Sequence, residues 1–257
     1  MLRAKELSMI RSLSQFKIVF ALSLIVTACC ANANDKSLIE AHSASYQAHI
    51  SQGISLNGDA TRELTQLEDG SWSYRFYVET TPAEITERSI FELIDGKIKP
   101  RQYDYLLSGF LIKDRRQSVV FDQSNGTLTE KYKKKQWELS APDNILDRLN
   151  YQLQLQVDVG SGDKEFEYKV IHKGKVRHYR FEVIGEESIQ TRLGTKRAQV
   201  VQKLREGGKK RETKLWFDQA PPYALLKMIQ TEPDGEYYEI NITGLTSDTP
   251  PASSTTK

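Results

Sequence analysis

Hydrophobic and polar residues alternate with a period of two along much of the chain. The clearest run is Trp72-Ser73-Tyr74-Arg75-Phe76-Tyr77-Val78-Glu79, in which Trp72, Tyr74, Phe76 and Val78 share one face and Ser73, Arg75 and Glu79 the other. Side chains of a strand point alternately to its two faces, so this pattern predicts a strand with one buried and one wet face. Similar runs occupy residues 85–94, 117–122, 127–132, 136–139, 165–172, 175–184, 197–205, 213–217, 225–231 and 237–242. Between them stand Asp69-Gly70, Asp95-Gly96, Asn125-Gly126, Gly207-Gly208 and Asp234-Gly235, with weaker signals at Lys173-Gly174 and Gly53. These pairs tolerate the positive φ that tight hairpins demand. The expected fold is mainly β: a single-domain antiparallel meander over residues 34–245, forming a strongly curved sheet or barrel-like structure.

One stretch breaks this rhythm. After Pro142, either Asp143 or Asn144 offers a helix N-cap, and Ile145, Leu146, Leu149 and Leu153 fall on one helical face. Yet Leu149, Tyr151, Leu153, Leu155, Val157 and Val159 also alternate like a strand. The cap and the preceding proline favour one short helix over 144–156 near the middle of the chain. The Gly160-Ser161-Gly162-Asp163 loop then separates two β-rich halves of one domain. Residues 246–257 are Ser, Thr and Pro with little to bury, and disorder is expected there.

The N-terminus follows another pattern. Arg3, Lys5, Arg11 and Lys17 stand against Glu6, and an apolar run fills 18–28. Eleven residues rising about 1.5 Å each cannot cross a hydrocarbon core of about 30 Å as a helix. A basic flank, a short apolar core and small residues after it are the layout of a secretory signal, expected here over 1–33. Two cleavage readings compete. Ala31-Asn32-Ala33 is an A-x-A site that would release a soluble periplasmic protein of Gram-negative type; Val26-Thr27-Ala28-Cys29 resembles a lipobox that would leave a membrane-anchored lipoprotein at Cys29. The formal charge of +2 belongs largely to this segment, and without residues 1–33 the balance is 32 basic against 33 acidic residues. A nucleic-acid partner thereby loses its main argument from composition. Both cysteines are Cys29 and Cys30, so cleavage after Ala33 would leave neither disulfide nor thiol chemistry.

Several segments of the C-terminal half carry a family flavour. Residues 185–198 read G-x-E-x-x-x-T-x-x-G-x-x-x-A, Leu215-Trp216-Phe217-Asp218 precedes Pro221-Pro222, and Asp234-Gly235 stands before the last strand. Upstream lie Asp147, Lys99-Pro100 and the segment from Tyr103 to Tyr105. On these motifs the chain resembles the bacterial exported family catalogued as domain of unknown function 3108 (DUF3108), over roughly residues 42–244. The resemblance implies a periplasmic, β-rich protein with an aspartate, Asp147 here, opening its helix. It supplies no catalytic residues, and Arg148-Leu149-Asn150 departs from the serine usual after that aspartate.

Motifs for chemistry are sparse. The histidines are His42, His49, His172 and His178, and no pair has the i, i+4 spacing of an H-E-x-x-H zinc site. His172 and His178 flank the Lys173-Gly174 turn, where two exposed hairpin histidines outweigh a metal site. G-x-S-x-G, S-x-x-K, P-loop and G-x-G-x-x-G patterns are missing from the sequence. No cofactor, metal site or catalytic residue is expected, and the reading leans away from an enzyme. Lys131, Lys133, Lys134 and Lys135, mixed with Tyr132 and Trp137, form a basic cluster, with Lys209-Lys210-Arg211 a second. They suit either anionic lipid or polymer or a solvated hairpin guarded against edge pairing.

Aromatic residues give the last signal. Trp72, Tyr74, Phe76, Tyr103, Tyr105 and Trp216, with Phe91 and Phe217, fall on several expected strands. On a curved sheet an inward set would line the concave face, as a filled core or as an open trough. The leading expectation is an exported envelope protein binding an apolar or amphipathic ligand, such as a lipid, in a curved sheet. A second is an assembly or scaffolding factor that binds another envelope protein; a third is a hydrolase of an envelope glycan or ester.

Overall fold

The computed structural model describes residues 39–52, 54–81, 83–205 and 211–247. The expected leader with its cleavage sites, the Gly207-Gly208 turn and residues 248–257 lie outside the described residues. The chain before the helix forms β1 (His42–Gln52), β2 (Ile54–Gln66), β3 (Trp72–Thr80), β4 (Ala83–Ile94), β5 (Lys97–Gly109), β6 (Arg115–Asp122), β7 (Thr127–Tyr132), β8 (Lys135–Ser140) and the two-residue β9 (Ile145–Leu146). After helix α1 (Asn150–Gly160) come β10 (Glu165–Ile171), β11 (Val176–Thr191), β12 (Gly194–Lys203), β13 (Glu212–Asp218), β14 (Leu225–Thr231) and β15 (Tyr237–Ser247).

All fifteen strands join one curved, unclosed sheet in the order β8-β7-β6-β5-β4-β3-β2-β1-β15-β14-β13-β12-β11-β10-β9. Each half meanders with antiparallel neighbours, β1 and β15 join the halves at the centre, and only β9 pairs in parallel, with β10. The meander sorts its turns onto two rims. One rim carries the β1–β2, β3–β4, β5–β6, β7–β8, β10–β11, β12–β13 and β14–β15 connections; the other carries the turns between them.

The inward positions follow the period of two. Ala44, Tyr46 and Ala48 of β1, Ala60 and Leu64 of β2, Tyr74 and Val78 of β3, and Ile240 and Ile242 of β15 are buried in one continuous core. Long-range side-chain bonds hold the curl. Glu130 on β7, fully buried, accepts from the backbone N–H groups of Lys173 and Gly174 at 2.7 and 2.6 Å, tying the tip of the β10–β11 hairpin to the opposite half. Gly174 has φ +70°, and a Cβ there would stand 2.6 Å from atoms of the Trp137 ring. The aromatic part of the expected basic cluster is thus packed under this hairpin tip, while Lys131, Lys133, Lys134 and Lys135 remain exposed.

The helix begins later than the 144–156 expected. Asn144 has φ +59°, Ile145 and Leu146 pair with Lys169 and Val170, and Asp147 is the residue that caps the helix. Its Oδ1 accepts from the N–H groups of Leu149 and Asn150 at 2.8 and 2.7 Å. The competing periodicities have a physical reason: Leu153 through Val159 are all buried. A helix buried on every side shows no single apolar stripe. It plugs the interior at the rim that carries the β4–β5 and β13–β14 turns, where Gln154 accepts from Ile98 N and donates to Gly96 O, and Gln156 donates to Pro222 O.

Three other expectations are corrected. β1, β2 and β5 occupy stretches not read as strands, β11 runs on to Thr191, and β15 continues through Thr246 and Ser247, which pair with Ser43 and His42. Polar residues on both faces of β2, and Pro100 within β5, obscure their alternation.

Candidate functional site

At the rim away from α1 the curved sheet stays open, and an inner cleft of 660 Å³ separates its walls. Strand β2 contributes Arg62 and β3 contributes Phe76, which are paired directly across the two strands. The start of α1 supplies Tyr151 and Gln152, and Arg148 comes from the turn before it. Tyr179, Phe181, Lys203 and Tyr238 complete the aromatic and cationic lining from β11, β12 and β15. The mouth is edged by residues of the β12–β13 and β14–β15 connections, among them Leu204, Arg205 and Pro233.

Arg62 is the unusual group. It is only 5% exposed, yet among the described residues it has no carboxylate partner. Its two terminal nitrogens donate to Tyr74 Oη at 3.0 Å and Gln152 Oε1 at 2.6 Å, and its guanidinium lies 5.0 Å from the Phe76 ring centre. Its Nε is buried without a hydrogen-bond partner. A buried cation ordinarily demands a counter-charge, because desolvation costs several kcal/mol per ion. Lys203 lies 3.2 Å above the Tyr179 ring and Arg148 lies 5.8 Å from that of Tyr105. Both contacts favour cations over the negative faces of aromatic rings.

Two acids also line the cleft: Glu232, which pairs with Arg211, and Glu87. Glu87 is buried and accepts from Tyr103 Oη at 2.6 Å. Burial, together with Glu87, holds the Tyr103 phenol neutral well above its usual pKa. Asp147 is fully buried, receives Ser89 Oγ at 2.5 Å, and is pushed up to about 6 by desolvation. Among the described residues His42 bonds to Glu40 O, His49 to Asn57 and His178 to Glu167, while His172 Nδ1 is buried without a partner and the ring is pushed down to about 4 by burial and by Arg148.

The six aromatic candidates divide. Phe76 lines the cleft. Tyr74 and Tyr103 stand behind it, fully buried, as hydrogen-bond partners of Arg62 and Glu87. Tyr105 is half-buried beside Arg148. Trp72 sits at the opposite rim, in a surface groove with Ile39, Gln66 and Ile94. Trp216 lies on the other face of β13 from the cleft-lining Leu215, with its Nε1 donating to Glu187 and Lys227 over its ring. Alternation separates the two faces of a strand without saying which is concave. His172 and His178 are not brought together, since His178 pairs with Lys169 and contacts Glu167. Arg62, Arg148, Tyr151, Tyr179, Lys203 and Tyr238 were not among the sequence candidates. Arg62 alone carried a signal, as a charge between the apolar inward positions Ala60 and Leu64.

The family model described as "Protein of unknown function (DUF3108)" matches residues 45–243. No curated protein matches the chain. Among solved structures, a β-barrel-like protein of domain of unknown function DUF1849 from Brucella abortus aligns with a TM-score of 0.57 at 12% identity, covering 82% of this chain and 99% of that one. It shares the fold. A MucA/MucB complex from Pseudomonas aeruginosa aligns at TM-score 0.33 and 12% identity, over 83% of this chain and 54% of that one. A putative outer membrane lipoprotein-sorting protein domain from Vibrio parahaemolyticus aligns at TM-score 0.22 and 13% identity, over 85% and 91%.

Proposed function

The chain belongs to the DUF3108 family, and we propose that it is an exported cell-envelope protein that holds an amphipathic, anionic ligand in its inner cleft. The observation that carries this reading is Arg62, a cation buried at the wall of a 660 Å³ cleft with no carboxylate partner among the described residues. A carboxylate or phosphate entering the cleft would supply the missing counter-charge, with Arg148 and Lys203 on the same walls. Phe76, Phe181, Leu215 and Met228 would cover an apolar portion. Export to a Gram-negative periplasm rests on the leader pattern of residues 1–33. Among the described residues no helix is long and apolar enough to cross a membrane.

Native mass spectrometry of the protein purified from its own cell envelope tests the proposal. A released small molecule bearing one or more acidic groups is expected, and Arg62→Met should weaken its retention about 10- to 100-fold, the loss of a charge-assisted bond. Protein that emerges without a ligand, or that retains one equally after Arg62→Met and Arg148→Met, would refute it.

A further inference from the structure

The rim at which the cleft opens carries a second feature. In the β5–β6 turn, Phe110 is 77% exposed and Leu111 91%, the two most exposed large hydrophobic side chains among the described residues. Leu111 is held at φ +59°, and the turn is closed by Ile112 N donating to Gly109 O at 3.3 Å. Monomeric proteins scatter single apolar residues over their surface, but an adjacent pair raised on a hairpin tip is a different arrangement.

The neighbourhood of this tip is strongly basic. Lys113, Arg115 and Arg116 follow it directly. Strand β6 pairs with β7, and Lys133 N donates to Arg116 O, so the tip of the β7–β8 hairpin stands beside that of β5–β6. That second tip presents Lys131, Lys133, Lys134 and Lys135, all exposed and without ion pairs to the described residues. Within 109–116 and 131–135 the single acid is Asp114, which is paired with Arg116. Glu79 and Glu84 lie on the next hairpin, β3–β4, at the edge of this patch.

We infer that this rim docks on an anionic lipid surface, with Phe110 and Leu111 entering the headgroup region and the lysines of β7–β8 pairing with lipid phosphates. Charge complementarity selects the occupant: an apolar wedge ringed by cations fits a bilayer interface, where basic side chains are attracted to acidic headgroups and apolar ones gain by burial. The placement also has a consequence. The β12–β13 and β14–β15 connections that edge the cleft belong to the same rim, so docking would turn the cleft mouth towards the membrane. The docking surface itself stands independently of what the cleft holds.

Flotation of the purified protein with vesicles provides the test. Vesicles containing phosphatidylglycerol should carry the protein upward at low salt, while pure phosphatidylcholine should not. Replacing Lys133 and Lys134 by Gln should weaken binding about fivefold for each charge removed. F110S/L111S should weaken it about tenfold or more, the loss of two buried apolar side chains. All four positions are exposed, and unchanged circular dichroism and unchanged cleft ligand in native mass spectra would separate this surface from the cleft. Equal binding to phosphatidylcholine, unaltered binding by F110S/L111S, or binding to heparin but to no vesicle would each overturn the inference.

Discussion

The two ends of the curved sheet are filled in opposite ways. At one rim α1 and the residue before it close the interior with Leu149, Leu153 and Leu155, each completely buried. The glutamines and Asp158 that enter with them are hydrogen-bonded, while the Asn150 side chain is buried without a partner. Gln154 bonds to Ile98, Gly96 and Asp158, while Asp158 also receives Tyr168 Oη at 2.8 Å. At the other rim the same inner face presents Arg62, Arg148 and Lys203 among aromatic rings, and space remains between the walls. The strand pattern is common to both ends; the polarity of the inward side chains differs. A packed end is suited to stability and an open, cation-lined end to a ligand, so substitutions at the two ends should have separable effects.

The sharpest contrast is between Leu153 and Phe76. Leu153→Ala opens a cavity in the plugged end and should cost about 2–5 kcal/mol of folding stability, measured by urea denaturation. Phe76 is only partly buried against the open cleft; Phe76→Ala should cost distinctly less stability and instead reduce ligand retention. Equal stability losses would mean that the cleft end is packed as tightly as the plug. The link between the halves comes next. Glu130→Ala leaves the N–H groups of Lys173 and Gly174 and the amide of Gln117 without their acceptor, and should cost about 3 kcal/mol by the same measurement.

Asp147 stands where the two ends meet, capping α1 while its neighbour Arg148 enters the cleft. Its folded pKa, about 6, lies above its ordinary value of 3.8. The folded protein therefore binds more protons here than the unfolded chain between those values, and this contribution to stability falls as pH rises through the window. His172 works in the opposite sense, since its pKa is lowered to about 4 and its protonation destabilises the fold as pH falls. The parent profile should be flattened by this opposition. Asp147→Asn keeps an oxygen for the cap and removes one slope, so its stability relative to the parent should rise by up to about 3 kcal/mol between about pH 4 and 7. Parallel profiles of the two proteins would refute the placement of a protonated carboxyl at this junction.

The fold was more legible than the site. β7 and β14 occupy the residues their alternation predicted, 127–132 and 225–231, and β7 does so although its inward Glu130 is charged. β2 was hidden by Arg62, whose charge at an inward position breaks the apolar repeat. The helix was legible in kind and shifted in position, because its cap is Asp147 and its burial is all-round. The cleft was not legible at all: Arg62, Arg148, Tyr179 and Tyr238 are far apart in the chain and meet only through the curl of the sheet.

Trp216 gives the smallest and most discriminating test of which face is which. It is buried, but on the outer side of β13, where its indole bonds to Glu187 at 2.8 Å and lies under Lys227. Trp216→Phe removes that hydrogen bond and part of the ring, and should cost about 1 kcal/mol. Because Leu215 and not Trp216 faces the cleft, ligand retention in native mass spectra should be unchanged, in contrast to Phe76→Ala. A loss of ligand with Trp216→Phe at undiminished stability would place the binding face on the convex side of the sheet and undo the contrast between its two ends. Retention of the ligand would tie binding to the inner face, where the charge of Arg62 is otherwise unanswered.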